Sequence, residues 1–235
     1  MTRLSAFPIT TRWPASRDEA IQLYSFPTPN GVKASIALEE LGLDYEPHLI
    51  RIGQDDQKTP EFLSLNPNGR IPAIIDPNGP GGEPIGLFES GAILQYLAEK
   101  TGRLLPADPA RRIETLQWVY FQMGGIGPMF GQFGHFYKFA ADKVTNNPYP
   151  EERYRNETRR LLGVLEGRLT GRTWVMGDDY TIADIASFPW VRTLDLFYGA
   201  GEHLKLDDFP AVMAWLDRCI ARPASTKGFD IPARN

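Results

Sequence analysis

Cysteine is nearly absent from this sequence, since a single one, Cys219, occurs in the whole chain. One cysteine excludes an intramolecular disulfide framework and fits a reducing compartment. Cys219 lies within residues 214–220, where the spacing of apolar residues is helical, so we expect a buried helix side chain and not a reactive thiol. If the protein carries out thiol chemistry, the thiol is therefore expected to come from a ligand.

Positive charge and long apolar runs are also scarce. Lysine and arginine number 25 against 29 acidic residues, which gives a net charge of −4 and no electrostatic footprint for nucleic acid. No apolar run approaches the ~20 residues of a membrane-spanning helix. The three histidines, His48, His135 and His203, are scattered and lack the spacing of metal ligands. We therefore expect no nucleic-acid partner, no membrane partner and no metal.

The first twenty residues lack the apolar core that a secretory signal needs. Pro8 and Pro14 argue against the amphipathic helix of an organellar transit peptide. We expect residues 1–20 to form an irregular arm on the surface and the protein to be cytoplasmic.

Residues 21–41 predict a strand, a tight polar turn and a helix. Ile21, Leu23 and Ser25 alternate as in a strand, and the prolines that follow end it. Pro29 suits the first turn of a helix, whose apolar face is formed by Ala34, Ala37, Leu38 and Leu41. The N–H groups that begin such a helix, together with Thr28 and Asn30, favour an anion, including a thiolate.

The remaining elements up to residue 102 complete a β-α-β-α-β-β-α order. Further strands are expected at residues 45–52, 71–75 and 85–88, a short helix after Thr59, and a helix capped by Ser90 that ends at Gly102. The first two strands should be parallel and the last two antiparallel, which makes a mixed four-stranded sheet.

The pattern changes after the linker at residues 104–109. Two apolar stripes have helical spacing, the first formed by Ile113, Leu116, Val119, Tyr120 and Met123 and the second by Tyr154, Thr158, Leu161, Leu162, Leu165 and Leu169. Thr181 and Asp184 form a capping box. We predict an arm over residues 1–20, an α/β domain over 21–103 and an all-helical domain over 110–235.

Several motifs in this order resemble the cytosolic glutathione S-transferases. These are Ile71 followed by Pro72, residues 88–90 and residues 181–184. Residues 28–31, 116–118, 121–128 and 133–137 are similar to the nu class of that family, and the likeness extends from residue 21 to about residue 225. The resemblance implies a thioredoxin-like first domain, an all-α second domain, a homodimer and a cis bond before Pro72.

The resemblance also implies which residues hold glutathione. Thr28 and Asn30 would face the sulfur, and Glu89 and Ser90 would hold the γ-glutamyl end. Backbone groups of Ile71 would pair with the cysteine of glutathione as an added strand would. The glycyl carboxylate would be reached by Gln57 and Arg70, and by resemblance Arg153 would enter the partner subunit's site. Taken alone, each residue also has a structural explanation, as a loop, capping or solvated surface residue.

Three functions remain open at this point. The nu-class resemblance implies glutathione-dependent disulfide-bond reduction, with glutathione bound as a thiolate. The same site could instead conjugate glutathione to electrophiles or reduce organic peroxides, or the protein could be a non-catalytic glutathione-binding regulator or carrier. Tyr24 lies within the first strand rather than at the turn, so we assign it no role.

Overall fold

The computed structural model describes residues 3–234, which form two compact units. The first unit contains the chain up to residue 103 together with the segment from residue 223 onward, and the second contains residues 104–222. Among the described helices, none combines the length and the apolar character needed to cross a membrane.

The first unit is built on the predicted four-stranded mixed sheet. Its strands are β1 (Ile21–Ser25), β2 (Tyr45–Leu49), β3 (Ala73–Asp76) and β4 (Ile85–Phe88), in the spatial order β2-β1-β3-β4. Strands β1 and β2 are parallel, whereas β3 is antiparallel to both β1 and β4. Pro72 lies before β3 and not inside it, because proline has no N–H to give to a ladder, and the Ile71–Pro72 bond is cis.

Helices α1 (Gly31–Leu41), α2 (Pro60–Leu65) and α3 (Ser90–Thr101) accompany the sheet. Two predicted helix starts need correction: α1 begins at Gly31 instead of Pro29, and Ser90 is the first residue of α3 while Glu89 occupies the capping position. Every residue from Gly31 to Leu38 is buried, so α1 has no solvent face along its first two turns.

Helix α10 (Pro223–Gly228) explains that burial, since it packs on α1. A side chain at Gly228 would lie 2.6 Å from Ile36 Cγ1, so only glycine permits this approach. The sequence predicts a helical domain through residue 235, whereas the segment from residue 223 groups with the first unit.

The N-terminal arm is more ordered than expected. It forms two short 3₁₀ turns, Arg3–Ala6 and Pro8–Thr11, and buries Leu4 and Ile9 in a cluster with Phe62. Leu4 and Ile9 therefore belong to the core of the first unit, while most of the other described residues of the arm are exposed or half-buried, as expected of an arm on the surface.

The second unit is helical, as predicted. It contains α4 (Pro109–Phe121), α5 (Gly127–Gly134), α6 (Tyr149–Leu169), α7 (Ile182–Leu196), α8 (Gly201–Leu204) and α9 (Pro210–Ile220). The capping box of Thr181 and Asp184 is present at the start of α7. The first predicted stripe is only partly buried: Val119 is 2% exposed, whereas Ile113 is 66% and Tyr120 is 64% exposed on α4.

Candidate functional site

The turn between β1 and α1 is compact at its backbone. A side chain at Gly31 would collide with the carbonyl oxygen of Phe26, so this position requires glycine. The Gly31 N–H donates to Thr28 Oγ1 at 3.3 Å, and the Val32 N–H donates to the Thr28 carbonyl at 3.0 Å. Because its oxygen accepts a hydrogen bond, the Thr28 hydroxyl directs its own hydrogen elsewhere and can donate it to a ligand.

Strand register brings three predicted segments to one edge of the sheet. Ala73 pairs with Tyr24 of β1 on one side and with Phe88 of β4 on the other. The end of β1, the start of β3 and the end of β4 therefore lie side by side. The segments joined to them, residues 28–30, 71–72 and 89–90, meet at this edge.

The start of α3 supplies a second helix N-terminus at the same edge. Glu89 adopts a left-handed backbone with φ of 70°, which is uncommon for a residue other than glycine. Ser90 follows it and is buried. Free N–H groups at a helix start attract a carboxylate, and the exposed carboxylate of Glu89 is suited to an ammonium group.

A buried lysine lies between the two helix starts. Lys33 is 0% exposed and its Nζ donates to Ser90 Oγ at 3.3 Å. Burial lowers the pKa of Lys33 to about 7, and the opposing influence of the Glu89 carboxylate is smaller. Lys33 was not among the predicted site residues. Its signal is a lysine near the start of an otherwise apolar helix, but it lies outside the predicted apolar face of α1.

The two residues expected at the glycyl end differ in exposure. Gln57 is buried, and in the described part of the chain its Oε1 has no hydrogen-bond partner. A side chain at Gly69 would lie 3.2 Å from the Gln57 carbonyl oxygen, so the two loops touch next to the exposed Arg70. The Arg70 carbonyl accepts from Asn66 Nδ2 at 2.5 Å, which fixes the backbone leading to Ile71.

Asp56 anchors the loop that carries Gln57. Its Oδ2 accepts from the Arg51 N–H at 2.9 Å, and its Oδ1 is 2.9 Å from the guanidinium of Arg12 in the N-terminal arm. The arm is thus tied to the residue adjacent to Gln57.

Tyr24 and Cys219 lie outside the candidate site. The Tyr24 ring is fully buried, stacks on His48 with 4.7 Å between ring centroids, and has its pKa raised by burial. Cys219 is 0% exposed in α9 of the second unit. Neither group is accessible to a ligand at the sheet edge.

Arg153 is the one predicted glutathione residue in the second unit. It lies exposed on α6, and its predicted role depends on a partner subunit. The other predicted residues belong to the first unit, where the starts of α1 and α3 offer two places for negative charge. This arrangement can bind a thiolate beside Thr28 and a carboxylate beside Ser90.

Comparison with known proteins identifies the family. The models of the glutathione S-transferase N-terminal and C-terminal domains match residues 19–99 and 126–223. The chain is 47% identical over 206 residues to the disulfide-bond oxidoreductase YfcG of Escherichia coli strain K12. The match covers 87% of this chain and 92% of the relative.

Two solved structures are similar over nearly the full length. A glutathione transferase from Burkholderia graminis with two glutathione molecules bound per subunit has 63% identity and a TM-score of 0.98, and the match covers 100% of this chain and 98% of that one. A glutathione transferase from Pseudomonas putida with one glutathione disulfide bound per subunit has 58% identity and a TM-score of 0.95, with 97% and 99% covered. This chain therefore belongs to the glutathione S-transferase family.

Proposed function

We propose that this protein is a glutathione-dependent disulfide-bond reductase that activates glutathione as a thiolate. The observation that supports the proposal is the turn between β1 and α1, where the Thr28 hydroxyl and the N-terminus of α1 can both bind an anion. The chain's one cysteine is buried elsewhere, so the reacting thiol comes from the ligand. A related protein is named a disulfide-bond oxidoreductase, and another holds two glutathione molecules per subunit.

Disulfide reduction uses two glutathione molecules in sequence. The thiolate of the first attacks one sulfur of the disulfide, forms a mixed disulfide and expels the other sulfur as a thiolate. The thiolate of the second attacks the glutathione sulfur of the mixed disulfide, which gives glutathione disulfide and a second leaving thiolate. Both leaving thiolates take up a proton, so two thiols and one disulfide become one disulfide and two thiols.

The remaining predicted site residues of the first unit each bind one part of glutathione in this scheme. Asn30 joins Thr28 at the sulfur, and the backbone of Ile71 pairs with the cysteine of glutathione. At the γ-glutamyl end, Glu89 binds the ammonium group and Ser90 binds the carboxylate. The glycyl carboxylate is held by Gln57 and Arg70.

An assay panel at fixed protein concentration tests the function. We expect rapid reduction of hydroxyethyl disulfide by glutathione, with slower conjugation of a chloronitrobenzene and slower reduction of cumene hydroperoxide. High conjugation with negligible disulfide reduction would make the protein a conjugating transferase instead. Tight binding of a hydrophobic ligand without turnover of any of the three substrates would make it a carrier.

We also infer a homodimer of the nu class located in the cytoplasm. Exposed Ile113 and Tyr120 on α4 offer an apolar face suited to a second subunit, and Arg153 would reach into the partner's site from α6. A reducing compartment supplies the glutathione that the reaction consumes. Sedimentation of the purified protein tests the dimer, and a monomer at assay concentration would remove the proposed role of Arg153.

A further inference from the structure

Lys33 is buried to a degree that lysine rarely shows. Its side chain is 0% exposed in the first turn of α1, and lysine is almost never fully buried unless it is paired. Its hydrogen bond to Ser90 Oγ links the starts of α1 and α3. Burying a charged side chain is costly, and this one lies beside the proposed γ-glutamyl end.

Several elements that pack around Lys33 carry titratable groups. Helix α1 packs against β1, α3 and α10. The titratable residues of α1 and of these neighbours, together with the residue that precedes α3, are Tyr24, Glu39, Glu40, Glu89, Tyr96, Glu99, Lys100 and Lys227. Of these, Glu89 is the one whose charge acts on Lys33. Lys227 pairs with Glu39 at 2.8 Å, at the other end of α1.

The contact with Ser90 has a defined direction when Lys33 is charged. An ammonium group has donors and no acceptor, so Ser90 Oγ must accept the 3.3 Å hydrogen bond. The hydrogen of the Ser90 hydroxyl then points away from Lys33. A neutral amine can accept, and in that state the Ser90 hydrogen can turn toward Lys33 instead.

We propose that Lys33 is a positioning residue of the γ-glutamyl subsite, which holds the Ser90 oxygen so that the Ser90 hydroxyl donates to the α-carboxylate of glutathione. This inference rests on the proposed function. A hydroxyl whose oxygen accepts from a cation is a stronger donor, because hydrogen bonds in a chain polarise one another. The α-carboxylate of bound glutathione is then separated from the Lys33 ammonium by the Ser90 hydroxyl alone. Its negative charge offsets the positive charge of Lys33.

Lys33→Met tests the role while keeping the aliphatic stem. Glu89 is exposed, so its carboxylate stays in contact with water in the variant, and thermal unfolding checks that the variant folds. Its affinity for glutathione should fall by about 10- to 100-fold, the loss expected for one charge-assisted hydrogen bond.

Two shortened ligands show which end of glutathione accounts for the loss of affinity in Lys33→Met. Affinity for γ-glutamylcysteine, which keeps the γ-glutamyl end, should fall by the same factor as affinity for glutathione. Affinity for cysteinylglycine, which lacks that end, should be unchanged. Lys100→Met is the matched control, because Lys100 lies at the other end of α3 with its Nζ 2.9 Å from Asp76, and its glutathione affinity should equal the wild-type value.

Proton uptake on ligand binding tests the same role in the wild-type protein. Lys33 has a pKa of about 7 without ligand, and a bound carboxylate favours its charged form. Binding of S-methylglutathione, which has no thiol to ionise, should therefore take up part of a proton per site at pH 8 and far less at pH 6. Calorimetry in buffers of different ionisation enthalpy measures this uptake.

The possible outcomes separate the two proposals. Equal glutathione affinity in wild type and Lys33→Met, or an equal loss for all three ligands, overturns the role of Lys33 and leaves the proposed function standing. Absence of proton uptake at pH 8 also overturns it. A wild-type protein without affinity for glutathione overturns the proposed function and the role of Lys33 with it.

Discussion

Replacing Thr28 by valine removes one hydroxyl group from the corner between β1 and α1 and nearly preserves the side-chain volume. The change removes an acceptor, whose bond from the Gly31 N–H is 3.3 Å long. Losing that bond should lower the free energy of unfolding by about 0.5–1 kcal/mol. It also removes the proposed donor to the sulfur, worth about 1.5–3 kcal/mol as a bond to a charged group.

We expect the proposed donor to control the pKa of the bound thiol. Stabilising the thiolate lowers the pKa of the glutathione sulfur below its ordinary value of ~8.5, and 1.36 kcal/mol corresponds to one pKa unit. Thr28→Val should therefore raise this pKa by about one to two units. At a pH below both pKa values, the thiolate fraction falls about 10- to 100-fold. A more basic thiolate is a better nucleophile, so the net loss of exchange rate is about 3- to 15-fold.

The assay is the ultraviolet absorbance of the thiolate in protein saturated with glutathione, measured against pH beside the rate of disulfide reduction. Thr28→Ser is the matched control, because it keeps the hydroxyl, and its thiol pKa should stay within a few tenths of the wild-type value. If Thr28→Val and the wild type titrate at the same pH, Thr28 does not donate to the sulfur. A rate loss without a pKa change would assign Thr28 to positioning.

Four further variants test other parts of the molecule. Asn30→Ala should lower the turnover of hydroxyethyl disulfide, and an unchanged rate would remove Asn30 from the site. Cys219→Ala should keep full disulfide reduction, whereas loss of that activity in this variant would make a protein thiol essential. Arg12→Met should raise the KM for glutathione without an equal fall in kcat, because the 2.9 Å ion pair with Asp56 steadies the loop next to Gln57, and a KM equal to that of the wild type would separate the arm from the site. Asp184→Ala should lower the free energy of unfolding in denaturant titrations by about 3–5 kcal/mol, since Asp184 Oδ1 and Oδ2 accept three hydrogen bonds of 2.9 Å, and a loss below about 1 kcal/mol would contradict this accounting.

The four strands and the directions of two strand pairs were predictable from local patterns. Strand alternation and the turn residues indicated the order of elements along the chain, the parallel pair β1 and β2 and the antiparallel pair β3 and β4. The pairing of β3 with β1, which brings residues 28–30, 71–72 and 89–90 to one edge of the sheet, is seen in the structure and was not predicted from these patterns. The roles of individual residues there came from the resemblance and not from the pattern.

Burial by distant segments was not predictable. Lys33 lies outside the predicted apolar face of α1, and no nearby sequence pattern indicates that α10 packs on that helix. Ile113 and Tyr120 have helical spacing but are exposed, because periodicity identifies an apolar face without saying what covers it. Leu4 and Ile9 lie among prolines with no period, so their place in the core has no local signature.

The return of the chain to its first unit has a consequence for biosynthesis. Domains generally fold in the order in which the ribosome makes them. Here, however, the whole helical unit is made before α10, whose Gly228 fits against Ile36, and before Arg234, whose guanidinium donates to the Pro27 carbonyl at 3.0 Å. A nascent chain whose sheet has already formed therefore still lacks both contacts, one on α1 and one on the turn that precedes it, until the helical unit has been translated.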